Sequence, residues 1–225
     1  MIKALAAAAL AFSLAFAPAG ALAQDQVGPP DEGGDAGGVE QPRMRISLDY
    51  NQANDRENLL YLDLSNGQRV AIRLMPDWAP NHVERIKTLA RQGFYDGVIF
   101  HRVIEGFMAQ TGDPTGTGQG GSQLPDLKAE FNPMPHLRGT VAMARAQSED
   151  SANSQFYIMF YPRFALDRRY TVVGRVIGNM AGVDAIERGE PPADPTYIVQ
   201  ASIASDNKPQ QFPQQVQPAP AGLSE

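Results

Sequence analysis

Residues 58–75 read "NLLYLDLSNGQRVAIRLM". Leu60, Leu62 and Leu64 alternate with Tyr61 and Asp63, and Val70, Ile72 and Leu74 resume the alternation beyond Asn66-Gly67. Apolar side chains at period two on both sides of an Asn-Gly predict an antiparallel hairpin with one buried face. Downstream, Ala79-Pro80 opens a helix that places Val83, Ile86, Leu89 and Ala90 on one face, with Pro80 in the first turn and Gly93 closing it. Short strands are predicted within "GVIFHRVI" (97–104), "FMAQTG" (107–112), "GTVAMAR" (139–145), "SQFYIMF" (154–160) and "YTVVGRVI" (170–177). A second short helix is predicted at 180–188 and a last strand at 197–201. Many short strands with glycine turns and only two helices point to a mainly β fold, a closed eight-stranded antiparallel barrel capped by two α-helices, and not to a parallel sheet.

The flanks of this region have a different composition. Residues 1–23 carry one lysine, Lys3, then an apolar run, then Ala21-Leu22-Ala23, the small-x-small form of a cleavage site. They read as a secretory signal peptide, too short to span a bilayer comfortably, and the expected product is exported to a periplasm without stable membrane insertion. Residues 24–42 are rich in Gly, Pro, Asp and Glu and form an expected disordered leader. Residues 206–225 are Pro/Gln-rich and are expected to be extended and mobile. One domain remains, 43–205, expected to act as a monomer.

The 225 residues are 43% hydrophobic and 20% charged, an ordinary globular balance. They contain no cysteine, so disulfide frameworks and thiolate metal sites are excluded. The formal charge of -6 opposes a phosphate backbone, and nucleic acid is not an expected partner.

The stretch "FHRVIEGFMAQTGDPTGTGQGG" (100–121) ends in glycines that fit G-x-G-x-x-G at Gly116, Gly118 and Gly121. That pattern cradles a pyrophosphate only where it opens a helix, and here "SQLPDLKAEF" follows, with Pro125 in its middle. The glycines are better read as letting backbone run beside a groove. His82, His101 and His136 lie far apart and show no metal-ligand spacing, and no G-x-S-x-G nucleophile is present. No metal or cofactor is implied. His101 is expected to be structural, held by a backbone hydrogen bond. Along 154–160, period two gathers Gln155, Tyr157 and Met159 on one face and puts Phe156, Ile158 and Phe160 in the core. Met108 and Gln110 share a face, just after Arg102. The result is an apolar floor with a few hydrogen-bonding groups, and a buried Arg102 would need a carboxylate such as Asp113 or Glu130.

The motifs "FHRVIEGFMAQTGDPTGTGQGG", "GTVAMARA", "NSQFYI" and "LDRRYTVVGRV" stand in the order and spacing of the cyclophilins, and residues 44–205 resemble that family of peptidyl-prolyl cis-trans isomerases. The resemblance implies a proline-binding groove on the outside of the barrel and, as partners, proline-containing peptides and unfolded exported proteins. It implies Arg102 as the catalytic arginine with Gln110 beside it, and Phe107, Met108, Tyr157 and Leu166 as the proline pocket. Gln110 and Gln155 match the groups that hold the substrate backbone, Ala144, Arg145 and Ala146 match the peptide-docking edge, and Tyr170 stands where many members have histidine. Ala165 departs from the pattern, standing where the family has tryptophan or phenylalanine, with Phe164 one place earlier. Arg145 replaces a common asparagine or threonine, which shifts the expected preference towards acidic or polar flanks, and Glu105 replaces a proline. A catalytically weak peptide-binding or chaperone module using the same groove is the alternative reading.

Overall fold

A computed structural model describes residues 55–213. The expected signal segment, the acidic leader and the tail beyond Pro213 lie outside the described residues. Strands β1 (Leu59–Leu64) and β2 (Arg69–Leu74) form the predicted hairpin, with Leu60 opposite Ile72 and Leu62 opposite Val70. The Gly67 amide donates to the Leu64 carbonyl and Gly67 has a φ of 81°, so Ser65-Asn66 is the turn centre and Gly67 a left-handed bulge. The six alternating aliphatics are at most 1% exposed. Helix α1 (Pro80–Arg91) buries Val83, Ile86, Leu89 and Ala90 against them.

The remaining elements are β3 (Arg102–Ile104), β4 (Met108–Thr111), β5 (Thr140–Met143), β6 (Phe156–Met159), β7 (Val172–Gly178), α2 (Met180–Asp184) and β8 (Ile198–Ile203). Within the described residues the eight strands form one antiparallel sheet in the order β3-β4-β6-β5-β7-β2-β1-β8. Register shifts at Asp63/Leu64, Ala71/Ile72 and Val141/Ala142 kink it, and such bulges bend a sheet towards closure. Closure is incomplete, a correction to the expected closed barrel. Between β3 and β8 only single bridges link the edges, Ile99 to Tyr197 and Val103 to Gly189. Pro191, Pro192 and Pro195 have no N–H to donate, so the segment leading into β8 cannot extend a ladder. Of the predicted 97–104 strand only Arg102–Ile104 belongs to a ladder, while Gly97, Val98 and Phe100 make separate backbone hydrogen bonds to Ile198 and Thr196. Helix α2 is also shorter than predicted, because from Ala185 the chain turns back towards the Gly189 bridge.

Two apolar clusters divide the sheet. Phe156, Ile158 and Phe160 fill the interior with α1, whereas Met108, Ala142, Tyr157, Met159 and Val172 form a separate cluster outside it. The described part of the predicted tail, residues 206–213, is hydrogen-bonded to the domain. The Gln211 amide donates to Asp63 Oδ2 at 2.7 Å and Gln200 holds the Pro209 carbonyl. Asp63, with no exposed side-chain surface, also takes Arg69 Nε at 2.6 Å, so its buried charge is paired and hydrogen-bonded. Among the described residues no helix is long and apolar enough to cross a membrane.

Candidate active site

Strand register assembles the outer face. Arg102 on β3 is opposite Gln110 on β4, Gln110 is opposite Tyr157 on β6, and Tyr157 is opposite Ala142 on β5. Directly opposed side chains lie about 5 Å apart on one face, so four residues distant in sequence form one row. Beside it opens a hollow of about 150 Å³ walled by Phe107, Met108, Tyr157, Leu166 and Tyr170. Arg102 and Gln110 stand at one edge and Ala144 and Arg145 at the other. A larger, more polar depression of about 460 Å³ adjoins it and receives Ala146 and Gln155, with Gln110, Ala144 and Arg145 shared between the two. Every residue expected at the site therefore borders one of these two hollows.

The partner of Arg102 differs from expectation. Its Nε donates to Glu190 Oε2 at 2.6 Å, and both side chains are about half exposed. Asp113 and Glu130 are engaged elsewhere. Glu130 accepts from Asn81 and holds His82 Nδ1 at 2.6 Å. Asp113 is 1% exposed and accepts from Thr115 and from the Gly118 amide at 2.6 Å. Burial pushes the Asp113 carboxyl up, but the hydrogen bonds from Thr115, Gly120 and Gly118 outweigh it and bring the pKa to about 2. The glycine loop thus wraps a protein carboxylate. At Gly120 a Cβ would lie 2.1 Å from Asp113 Oδ1, so no larger residue fits there.

That loop in turn holds the glutamines. Gln155 Nε2 donates to the carbonyls of Gly118 at 3.0 Å and Gly120 at 2.8 Å, and its Oε1 accepts from Gln110 Nε2 at 2.8 Å. Gln155 is occupied as a strut, and the Oε1 and second amide hydrogen of Gln110, which borders both hollows, have no hydrogen-bond partner among the described residues.

Arg145 is equally committed. It donates to the carbonyls of Arg169, Ala146 and Gln147 at 3.0–3.2 Å and lies 4.8 Å over the Tyr170 ring. These contacts tie its side chain to the pocket wall, where it borders both hollows without a carboxylate partner among the described residues. Ala165 and Phe164 do not line the hollow; Phe164 is 65% exposed. Glu105, in the turn between β3 and β4, pairs with Arg188 Nε at 2.7 Å.

Behind the hollow, Tyr157 is anchored by residues that the sequence pattern did not single out. Its hydroxyl lies 3.1 Å from His136 Nε2, and His136 Nδ1 lies 2.8 Å from Asp167. Burial, with Tyr170 nearby, pushes the Tyr157 phenol up, so it stays neutral. Arg163 stacks on the Phe107 ring at 5.3 Å. Glu190 also escaped notice, because only the isolated Val103–Gly189 bridge brings it to Arg102.

His101 is 5% exposed, and neither ring nitrogen has a protein partner among the described residues, so the expected backbone hydrogen bond is not formed. Burial lowers the pKa of His82, His101 and His136 below the usual 6.5, outweighing the pull of Glu130, Asp113 and Asp167 respectively. As pH falls below 6.5 the unfolded chain takes up protons that the folded chain resists, so stability present above that pH is lost. The unfolding midpoint is expected to drop steadily from about pH 7 to about pH 5, above the range where carboxylates titrate. A midpoint constant over that window would refute this assignment.

Residues 60–204 match the family model for cyclophilin type peptidyl-prolyl cis-trans isomerases. A Brucella suis protein designated a probable peptidyl-prolyl cis-trans isomerase is 48% identical over 172 residues, covering 69% of this chain and 87% of the relative. A cyclophilin of Hirschia baltica superimposes with a TM-score of 0.63 at 30% identity, over 69% of this chain and 77% of that one. A Cryptosporidium parvum cyclophilin type isomerase, crystallised in the presence of the dipeptide Ala-Pro, gives 0.60 at 26% identity, over 64% and 98%.

Proposed function

Because the chain belongs to the cyclophilin-type peptidyl-prolyl cis-trans isomerases, we propose that it turns X-Pro bonds in the hollow beside Arg102, with that guanidinium as the decisive donor. The observation that carries this reading is the row Arg102–Gln110–Tyr157 set beside an open, apolar-walled hollow. An X-Pro amide rotates over a barrier of about 18–20 kcal/mol, because twisting breaks its conjugation. In the twisted form the prolyl nitrogen becomes pyramidal and regains a lone pair. A fixed donor favours that form over the planar one, which is differential binding of the transition state.

Arg102 has the freedom to do this. Its Nε is held by Glu190, and among the described residues neither terminal nitrogen of this groove-lining side chain has a hydrogen-bond partner. Phe107, Met108 and Leu166 would receive the proline ring, and Gln110, braced by Gln155, would hold a backbone group while the other end turns. No bond is made or broken and no proton moves. The small-x-small segment at residues 1–23 supports export and unfolded exported proteins as substrates, whose slow folding steps include this isomerisation.

The test is isomerisation of a short, uncharged Ala-Pro peptide by the purified protein. Acceleration over the spontaneous rate is expected. Peptide binding without acceleration would favour the binding-module alternative.

A further inference from the structure

The chain as a whole is acidic, at -6, yet one wall of the groove is not. Residues 163–170, "RFALDRRY", run along the rim and contribute Leu166 and Tyr170 to the hollow. Arg163, Arg168 and Arg169 on this segment are exposed, and none has a carboxylate partner among the described residues. The segment's one acid, Asp167, is turned away, accepting from the His136 amide and holding Nδ1 of its ring, each at 2.8 Å. Between the arginines, Phe164 projects with 65% of its surface exposed. Arginine beside an exposed aromatic is the composition of contact surfaces, not of an ordinary solvated face.

The far end of the groove carries the opposite sign. Asp126 borders the larger depression, and the connection that supplies Ala146 and Ser151 to it also carries exposed Glu149 and Asp150. Across the hollow, Arg102 and Arg188 are paired with Glu190 and Glu105. Among the described residues, positive charge without a carboxylate partner near the groove sits on Arg145, shared by both hollows, on Lys128, two residues from Asp126, and most densely on the 163–169 rim, so the groove is electrically polarised along its length. Charges arranged in this way steer and select partners more than they tighten binding.

We infer that Arg163, Arg168 and Arg169 form a subsite for acidic side chains, so that the isomerase prefers prolyl segments with Asp or Glu on the one flank that lies over this rim. The inference rests on the reading of the neighbouring hollow as the proline site. Arg145, which the sequence suggested for this task, is bound to backbone carbonyls; among the described residues the guanidinium groups of the three rim arginines make no hydrogen bond, Arg163 lying over the Phe107 ring.

The experiment uses fluorescent Ala-Pro peptides with two glutamates or two lysines on either flank, and an uncharged peptide. Both anisotropy affinity and kcat/KM are read. At about 20 mM salt one flank should show a glutamate-to-lysine ratio of roughly three to ten, falling below about two in 0.5 M salt. The other flank should show no preference for glutamate. The double variant Arg168→Glu/Arg169→Glu should invert the ratio on the sensitive flank, with an unfolding midpoint close to that of the parent. A ratio near one on both flanks, a glutamate preference shared by both, or one that survives the double reversal overturns the inference. Failure of the proline-site reading would appear separately, as no turnover of any peptide, while the affinity ratio would still report on the rim.

Discussion

Arg102→Ala is expected to lower kcat/KM for an uncharged Ala-Pro peptide by about a hundredfold and to leave the fold in place. A hydrogen bond from a charged donor is worth roughly 1.5–3 kcal/mol, and each 1.36 kcal/mol is a factor of ten in rate. The loss should fall mainly on kcat, since the interaction proposed for this guanidinium exists only when the prolyl nitrogen is twisted. Stability should change by less than about 1 kcal/mol, the scale of an exposed ion pair, because the Arg102–Glu190 bridge is about half exposed on both sides. A residual acceleration should persist. About 7 kcal/mol is needed for a ~10⁵-fold enhancement, and one donor cannot supply it. The remainder falls to the hollow walled by Phe107, Met108 and Leu166, which positions the ring and excludes water.

The second large effect lies in the scaffold. Gly112→Ala should destabilise the protein by roughly 2–5 kcal/mol, combining left-handed backbone strain with overpacking. Gly112 has a φ of 89°, and a Cβ there would lie 2.4 Å from the Ser154 carbonyl oxygen and 2.8 Å from Gln155 Cα. Those contacts are backbone, so no side chain can swing aside. For a domain of this size each kcal/mol corresponds to about 2–4 °C, and a drop in the unfolding midpoint of about 10 °C is the expected reading. Activity should fall in the surviving folded fraction as well, because the displaced residue, Gln155, braces Gln110. A variant that melts within about 2 °C of the parent would show that β4 and β6 do not approach as described.

What could be read from the sequence was local. Leu60, Leu62 and Leu64 announce their strand because the period-two signal lies within six residues, and α1 shows its buried face in the same way. The split between Phe156, Ile158 and Phe160 inside and Tyr157 and Met159 outside follows from pleating alone. The outer row also needs β6 beside β4, a neighbour order that no local pattern shows; the resemblance to the family is what gathered these residues at one site.

What escaped depends on pairings between distant segments. Glu190 lies 88 positions from Arg102, in a proline-rich stretch with no strand signature, so no pattern joins them. The open seam between β3 and β8 has the same origin, since prolines with no N–H remove ladder bonds that an apolar alternation cannot reveal. Arg145 appeared free because a sequence does not show which backbone carbonyls a guanidinium will meet. The glycine loop encloses Asp113 through local contacts, Gly118 lying five positions on, whereas its bracing of Gln155 spans 35 positions and no local pattern shows it.

The central claim is that a fixed guanidinium favours the twisted imide without any proton transfer. Its most direct test is the cis–trans exchange rate of a saturating Ala-Pro peptide on the enzyme, measured by NMR magnetisation exchange at about pH 6 and pH 8 for the parent and Arg102→Ala. The expected result is a parent rate equal at the two pH values within about twofold, and a variant that still binds the peptide but exchanges it about a hundredfold more slowly. Exchange undiminished in the variant, or a parent rate that changes steeply between the two pH values, would contradict it.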